Sequence, residues 1–185
     1  MAVEGMTVQP ATAADLPALA ALHWAHLDYH AQFDRRYRPN APASYESLYA
    51  EHLADPLAGV FVARFAGHAI GFATCRLHEV AEPTARWPAA KWPGAKWPGA
   101  NWPWPKRRAP VTAGSATLVD LFVDPRHRRQ GVGTALVAAV MAWLAAKGAR
   151  EVGLGVMADN ADARRFWARQ GFVEYRVQMR RSVGA

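Results

Sequence analysis

Residues 117–134 read TLVDLFVDPRHRRQGVGT and carry the strongest structural signal in the chain. The apolar run Thr117–Val123 predicts a buried strand, and a long apolar helical pattern starts at about Val132. Between them lies Arg128–Gly133, which reads RRQGVG. A strand that turns through glycines into a helix presents unpaired backbone N–H groups at the positive end of the helix, which suits a pyrophosphate. The stretch therefore predicts an anion site.

Two common nucleotide-binding motifs do not match this loop. A dinucleotide-binding G-x-G-x-x-G loop needs a third glycine where Leu136 stands. A Walker P-loop needs Gly-Lys followed by Ser or Thr, which this loop lacks. What remains is the pattern Arg-x-x-Gly-x-Gly, placed after a strand and before a helix.

A second motif follows in the chain. After the strand-like run Arg150–Val156, residues 160–172 read NADARRFWARQGF. The two blocks, in this order, resemble the acetyl-CoA signature and the Asn-x-x-Ala-x-x-Phe-Tyr-x-x-x-Gly-Phe element of the GCN5-related N-acetyltransferases (GNAT). The resemblance is close over residues 115–175 and looser toward the N-terminus, where Val8–Leu16 is similar to the family's opening strand and helix start.

The resemblance implies transfer of the acetyl group of acetyl-CoA, the cosubstrate, directly to a primary amine. In the family the glycine loop cradles the CoA pyrophosphate, and a backbone N–H of the strand before it polarises the thioester carbonyl. Carried over to this sequence, the acetyl-CoA contacts are Phe122, Val123, Arg128, Arg129, Gln130, Gly131, Val132, Gly133, Thr134, Asn160, Ala163, Phe166 and Trp167. The acceptor stays open: a small amine, aminoglycoside- or polyamine-like, an amino acid or a peptide N-terminus. Asn160 could equally serve as a helix N-cap, which would coexist with a cosubstrate contact.

Asp120 interrupts the apolar strand, where a carboxylate is costly unless it is paired, hydrated or catalytic. An amine arrives protonated, so acetyl transfer needs a base or a water chain to one. The stretch Val119–Val123 resembles strands of some aminoglycoside and polyamine acetyltransferases that carry an acidic residue near this point. Asp120 is therefore the predicted catalytic base, with His78 and Glu79 as backups. A structural Asp bonded to neighbouring backbone or Arg remains an equal alternative.

Trp167 departs from the family pattern. The family often has a Tyr here, whose hydroxyl protonates the leaving CoA thiolate, and an indole N–H cannot supply that proton. Phe166 and Trp167 could pack the helix on the sheet while still lining the thioester pocket, with solvent protonating the thiolate. The departure keeps a second hypothesis open: a catalytically silent acyl-CoA-binding or regulatory module whose Trp- and Lys-rich loop binds a partner.

The composition is that of a globular protein. The chain has 185 residues, 51% of them apolar, which is enough for one domain with a sizeable core. Cys75 is the only cysteine, so no intrachain disulfide can form, and its apolar neighbours favour a buried, inert thiol. We expect neither a signal peptide nor a membrane span. The expectation is one acetyltransferase domain over residues 1–185, located in the cytoplasm.

The formal net charge of +7 is concentrated in one segment. Residues 85–104 are four tandem pentapeptides, ARWPA, AKWPG, AKWPG and ANWPW, and residues 85–108 hold six cations and no acid. Repeated Pro excludes a helix and a central strand, which predicts an extended insertion at about 85–108. It is either a tolerated surface loop, or its Trp and Lys side chains bind nucleic acid, an acidic surface or a partner chain. Because the rest of the chain is nearly neutral, nucleic acid is not an expected partner, and a homodimer stays open.

The order of elements indicates an α+β or α/β fold. A strand at Thr7–Gln9, two helices and a hairpin over residues 59–77 precede the insertion, and strands alternate with helices after it up to Val173–Arg181. We expect a mixed, mostly antiparallel sheet of about six strands with helices on both faces. The resemblance adds a splayed parallel strand pair for acetyl-CoA, Thr117–Val123 with Arg150–Met157.

The family builds its acceptor pocket from the first two helices and their loop, here about Leu22–Tyr49. This region contains residues that could contact a small polar amine or could form a solvated helix face: His23, His26, Asp28, His30, Asp34, Tyr37, Tyr45 and Tyr49. The seven histidines of the chain show no ligand spacing, so no metal site is predicted.

Overall fold

The structure of the protein, a computed structural model, describes residues 5–34, 43–78, 114–179 and 181. Within these ranges five strands form one sheet: β1 (Thr7–Pro10), β2 (Ala58–Phe65), β3 (His68–Leu77), β4 (Ser115–Val123) and β5 (Glu151–Gly153). Four helices accompany it: α1 (Leu16–Ala31), α2 (Ala43–Ala54), α3 (Val132–Ala146) and α4 (Ala161–Arg169). No helix of this described part is long and apolar enough to cross a bilayer. The Trp-Pro insertion, Tyr37 and Glu79 lie outside the described residues.

The sheet has the order β1-β2-β3-β4-β5. Neighbouring strands are antiparallel except for β4 and β5, which run parallel. The predicted hairpin is confirmed as β2 and β3, joined through Ala66 and Gly67, which both have positive φ, of 47° and 80°. Two consecutive left-handed residues give the turn whose twist matches that of a two-stranded ribbon. The predicted mixed, mostly antiparallel sheet is thus confirmed.

Helices cover both faces of the sheet. On one face α1 and α2 pack through Leu19 and Tyr49 against a cluster that includes Phe72 of β3. On the other face α3 packs through Leu136 and Val140, and α4 joins the same cluster. Each helix therefore buries one apolar stripe against one side of the sheet.

A β-bulge in β4 determines which residues face which layer. Thr74 pairs with Asp120 and the next residue of β3, Cys75, pairs with Leu118, so Val119 is an extra residue in β4. An extra residue reverses the alternation of side chains along the strand. As a result Leu118 packs in the α3 cluster, while Phe122, an even number of residues away, packs in the α1–α2 cluster.

The C-terminal strand predicted at Val173–Arg181 is wrong for the residues described there. Residues 173–179 belong to no strand, and the alternating apolar side chains of Val173, Tyr175 and Val177 are 82% exposed or more. The strand predicted at Arg150–Met157 is reduced to the three residues of β5. Because β5 has only three residues, it offers few backbone groups with which residues 173–179 could pair. The alternating apolar residues of this segment therefore have no partner strand.

Candidate active site

The parallel strands β4 and β5 separate soon after they meet. Their pairing covers only Ser115 with Glu151, Ala116 with Val152 and Thr117 with Gly153. Beyond that point β4 continues to Val123, whereas β5 has ended. In the described part of the chain, the β4 edge that faced β5 has no partner strand past Thr117. The splayed pair expected from the family resemblance is therefore present, and an extended ligand could pair with this edge.

Hydrogen bonds fix the direction of the backbone groups along β4. The N–H of Asp124 donates to the carbonyl of Ile70 over 2.9 Å, and the N–H of Asp120 donates to Oγ1 of Thr74 over 3.1 Å, so after the bulge the N–H groups of even-numbered residues point toward β3. Because backbone groups alternate along a strand, the N–H of Val123 points to the open edge. The N–H of Phe122 points to β3, and its ring is buried under α1.

The glycine loop ends in a left-handed residue that starts α3. Gly131 has a φ of 81° and occupies the N-cap position of the helix. The N–H of Ala135 donates to the carbonyl of Gly131 over 3.0 Å, which is the first bond of the helical ladder. The N–H groups of Val132, Gly133 and Thr134 precede it and have no acceptor within the helix. Together with the helix dipole they form a site that attracts an anion.

Gly133 lies where α3 and α4 approach each other. A Cβ at this position would lie 3.3 Å from Cζ of Phe166 and 3.8 Å from Cγ2 of Val123. The absent side chain thus lets the Phe166 ring come close to the start of α3. Gln170, just after α4, donates from Nε2 to Oγ1 of Thr134 over 3.3 Å and holds the same two segments together.

The two arginines of the loop have different surroundings. Arg128 donates from Nε to the carbonyl of Val123 over 3.0 Å, and its guanidinium carbon lies 4.5 Å from the centroid of the Tyr29 ring. Arg128 therefore contacts both α1 and the end of β4. Arg129 is exposed, with Nη2 at 3.6 Å from Oδ1 of Asp162. An exposed pair of this kind is weak, so the Arg129 charge remains available to a phosphate.

Asn160 and Trp167 both have structural roles in and around α4. Oδ1 of Asn160 accepts a hydrogen bond from the N–H of Ala163 over 3.0 Å, so Asn160 is the N-cap of α4. Trp167 is 9% exposed and belongs to the α3-side core, with its ring 4.9 Å from that of Phe166 and 5.3 Å from that of Phe172. Both alternatives considered for these positions, capping and packing, are observed.

Asp120 lies on the α1 side of the sheet, as the bulge requires. Its Oδ2 accepts a hydrogen bond from Oγ1 of Thr74 over 2.9 Å, and its Oδ1 lies 3.6 Å from Nδ1 of His26. The side chain is 18% exposed, so the carboxylate is reached by solvent although most of it is covered. The backup base His78 instead contacts Oγ1 of Thr117 from Nε2, at 2.8 Å, near the start of β4.

Three histidines of α1 surround the Asp120 carboxylate. His23, His26 and His30 follow one another at spacings that place them on one helix face. Nδ1 of His23 lies 2.8 Å from the hydroxyl of Tyr49, and Nε2 of His26 lies 2.8 Å from Nε2 of His30. Asp28, by contrast, is exposed. From the sequence, these residues could line an acceptor pocket or form a solvated helix face. In the structure, His23 and His26 are buried against the sheet.

Burial keeps the histidine cluster uncharged at neutral pH. It lowers the pKa of His26 to about 4, although the nearby Asp120 carboxylate opposes the shift. Burial likewise lowers the pKa of His23 and of His30, again against Asp120. Neutral imidazoles can accept a proton or bind a cation. The signal that sequence reasoning missed was the His-x-x-His-x-x-x-His spacing on a single helix.

The chain belongs to the acetyltransferase (GNAT) family, whose family model matches residues 20–172. A stretch of 69 residues is 42% identical to the mycothiol acetyltransferase of Clavibacter michiganensis subsp. michiganensis and covers 37% of this chain and 22% of that protein. A stretch of 62 residues is 39% identical to an uncharacterized N-acetyltransferase of Methanocaldococcus jannaschii and covers 34% and 27%. The chain therefore matches only about a quarter of the length of these curated relatives.

Solved structures show the same fold. A mutant BH1408 protein from Bacillus halodurans has a TM-score of 0.73 at 17% identity, covering 96% of this chain and 99% of that chain. The aminoglycoside N-acetyltransferase AAC(6')-Iy, in complex with the bisubstrate analogue CoA-S-monomethyl-acetylneamine, has a TM-score of 0.64 at 22% identity, covering 97% and 99%. At these identities the likeness concerns the fold.

Proposed function

We propose that this protein transfers the acetyl group of acetyl-CoA directly to a primary amine at the open edge of β4. The observation that carries the proposal is the separation of β4 and β5 after Thr117 and Gly153, with the unpaired N–H groups of α3 next to the end of β4. A pantetheine arm can pair with such an edge while its pyrophosphate lies at the helix start.

The pyrophosphate is held mainly by backbone groups. The N–H groups of Val132, Gly133 and Thr134 point out of the first turn of α3, and Arg129 adds an exposed positive charge beside them. Arg128 contributes by positioning, since its guanidinium is engaged by the Val123 carbonyl and the Tyr29 ring. Asn160, already the cap of α4, keeps its amide N–H₂ group for the pantetheine arm.

The N–H of Val123 is the candidate oxyanion donor. It points to the open edge of β4, whereas that of Phe122 is directed toward β3. A thioester carbonyl lying along the edge would accept this hydrogen bond, which strengthens as negative charge develops on the oxygen. Phe166, packed close to Gly133, would line the same region.

Asp120 is the candidate base that frees the amine. Its carboxylate is partly exposed, and the Thr74 hydroxyl holds one oxygen in place. The ammonium proton passes to Asp120, and the amine lone pair then attacks the carbonyl carbon. The C–N bond forms, the C–S bond breaks and the nitrogen releases its second proton to solvent, so that the products are a neutral amide and the CoA thiolate. Trp167 cannot donate a proton to this thiolate, so solvent protonates it.

Small-molecule amines are the proposed acceptor class. The aminoglycoside acetyltransferases of similar fold favour this class, and the polar residues of α1 lie beside Asp120. The test is thiol release from acetyl-CoA by the purified protein with aminoglycosides, polyamines, amino acids and peptide N-termini. We expect amine-dependent release with at least one of them. Stoichiometric CoA binding without any amine-dependent release would favour the alternative, a silent acyl-CoA-binding module, for which the buried Trp167 is the supporting observation.

A further inference from the structure

The contact between His26 and Asp120 leaves a buried nitrogen unsatisfied. Nδ1 of His26 is buried and has no hydrogen-bond partner among the described residues. Oδ1 of Asp120 lies 3.6 Å from it, which is too long for a hydrogen bond. A buried polar atom without a partner in a native protein calls for a physical explanation.

Neither tautomer of His26 removes the problem. If Nε2 carries the proton and donates it to His30, the lone pair on Nδ1 faces a carboxylate oxygen, and two acceptors oppose each other. If Nδ1 carries the proton, this buried donor lies 3.6 Å from Oδ1 of Asp120, too far to form a hydrogen bond with it. A cation between Nδ1 and the carboxylate resolves the first arrangement, since both atoms then donate electron pairs to it.

We propose that His23, His26 and Asp120 form a binding site for a divalent transition-metal ion such as Zn²⁺. One donor atom from each residue lies within 4.8 Å of the other two. Two imidazole nitrogens and a carboxylate oxygen are a donor set that Zn²⁺ accepts in proteins, with further positions left for solvent or substrate. This proposal replaces the sequence prediction that the chain has no metal site.

The distances require only a small adjustment. Metal–ligand bonds of about 2.0–2.2 Å place tetrahedral donor atoms about 3.3–3.6 Å apart. The 3.6 Å between Nδ1 of His26 and Oδ1 of Asp120 already fits that spacing. Nδ1 of His23 contacts Tyr49, so Nε2 is the nitrogen that faces the ion, and a side-chain shift of about 1 Å completes the site.

Each proposed ligand also has a partner that orients it. His23 contacts the hydroxyl of Tyr49, His26 contacts His30, and Asp120 accepts from Thr74, all within 2.9 Å. Metal-binding histidines and carboxylates are held in this way by outer hydrogen bonds, which fix the tautomer and the ring orientation. Solvent reaches the cluster through the partly exposed Asp120, so an ion has a path of entry.

The proposal does not depend on acetyl transfer. A metal ion bound to Asp120 would occupy the carboxylate that the proposed reaction uses as its base, so the proposed acetyl transfer belongs to the metal-free protein and bound metal should inhibit it. The test therefore reads metal binding directly and needs no acceptor amine. Failure of the metal proposal would leave the acetyltransferase proposal intact, and failure to find an acceptor would leave the metal test unaffected.

The experiment uses the untagged full chain, freed of metal by a chelator and titrated with Co²⁺. We expect one ion per chain and the visible d–d absorption of a four- or five-coordinate Co²⁺, displaced by Zn²⁺. The ligand variant His26→Gln should weaken Zn²⁺ binding, measured by calorimetry, by at least about 100-fold. The control His68→Gln, which removes an exposed histidine at the start of β3, should bind as the wild type does.

Two isosteric variants keep the test valid if His26→Gln does not fold. Tyr49→Phe removes only the hydroxyl that orients His23, whereas Thr74→Val removes both the donor to the Asp120 carboxylate and the acceptor of the Asp120 N–H; each should weaken Zn²⁺ binding by about 10- to 100-fold. Circular dichroism checks that every variant is folded. The proposal is overturned if the wild type binds no Co²⁺ with the expected absorption, or if His26→Gln binds as tightly as the wild type. It is also overturned if both isosteric variants retain wild-type affinity.

Discussion

Replacement of Asp120 by Asn is the sharpest perturbation of the proposed reaction because it changes the charge and almost nothing else. The Asn side chain has the same shape, and its oxygen can accept the hydrogen bond that Thr74 Oγ1 donates over 2.9 Å. Its amide N–H₂ group can donate toward Nδ1 of His26, which has no partner in the described structure. We therefore expect the fold to tolerate the change.

The magnitudes separate a catalytic role from a structural one. A hydrogen bond to a charged group contributes about 1.5–3 kcal/mol and a neutral one about 1 kcal/mol, so the loss of charge at Asp120 costs about 1–2 kcal/mol of stability. Relief of the partial desolvation of the carboxylate offsets part of that cost. Loss of a general base lowers turnover by about 100- to 10,000-fold, or about 3–5 kcal/mol in the barrier. The effect on the rate therefore exceeds the effect on the fold.

The assay is thiol release at saturating acetyl-CoA with an accepted amine, recorded as kcat against pH. We expect the Asp120→Asn variant to lose at least about 100-fold at neutral pH, to recover partly at high pH where more free amine exists, and to keep its affinity for CoA. The matched control is Asp55→Asn, which changes a half-buried carboxylate that pairs with Arg76 and lies outside the proposed site, and which should leave turnover unchanged. Wild-type turnover with an unchanged pH profile in Asp120→Asn would refute the assignment and leave Asp120 a structural role.

Four further predictions concern the cosubstrate site and the fold. Gly133→Glu should weaken CoA binding by at least about 100-fold in calorimetry, because the glutamate side chain would clash with Phe166 and its charge would repel the pyrophosphate. Gly133→Ala, whose Cβ would lie 3.3 Å from the Phe166 ring, should lose far less CoA affinity. Equal CoA affinities in the wild type and in Gly133→Glu would contradict the anion site. Trp167→Tyr should lower the free energy of unfolding by about 1–2 kcal/mol through lost packing and change kcat at most a few-fold, since solvent protonates the thiolate; a large gain in kcat would instead indicate a missing acid. Burial raises the pKa of the Cys75 thiol to about 11. Only about 0.1% of the thiol is then thiolate at pH 8, against roughly a quarter for a free cysteine. The rate of Cys75 alkylation, followed by mass spectrometry, should therefore be over about 100-fold lower in the folded protein than in urea. Replacement of residues 86–107 by a short Gly-Ser turn should preserve cooperative thermal unfolding and CoA affinity, because β3 and β4 are already paired antiparallel at the ends that the insertion joins; loss of a cooperative transition would make the insertion part of the core.

The sequence by itself determined the strand, turn and helix that form the proposed cosubstrate site. The strand, the glycine turn and the helix that follow one another from Thr117 are local features, because an apolar run, a left-handed glycine and a helix start depend on near neighbours in the chain. The same holds for Asn160, whose oxygen reaches a backbone N–H only three residues away. Motif spacing alone could therefore predict the anion site and the family.

Only the tertiary structure decided how Asp120 is surrounded. The bulge at Val119 turns the carboxylate toward α1, and the sheet then brings it against His23 and His26, which come from a distant part of the chain. The spacing of residues along the sequence does not predict this contact, because the contact depends on which face of a strand packs against which face of a helix.

The same limit explains the error at the C-terminus. The alternating apolar residues from Val173 have the period of a strand, but a strand forms only when another strand offers backbone groups to pair with. β5 ends at Gly153, so the described residues 173–179 have no such partner and remain outside the sheet. Local periodicity is a property of a segment, whereas strand pairing is a property of the whole sheet.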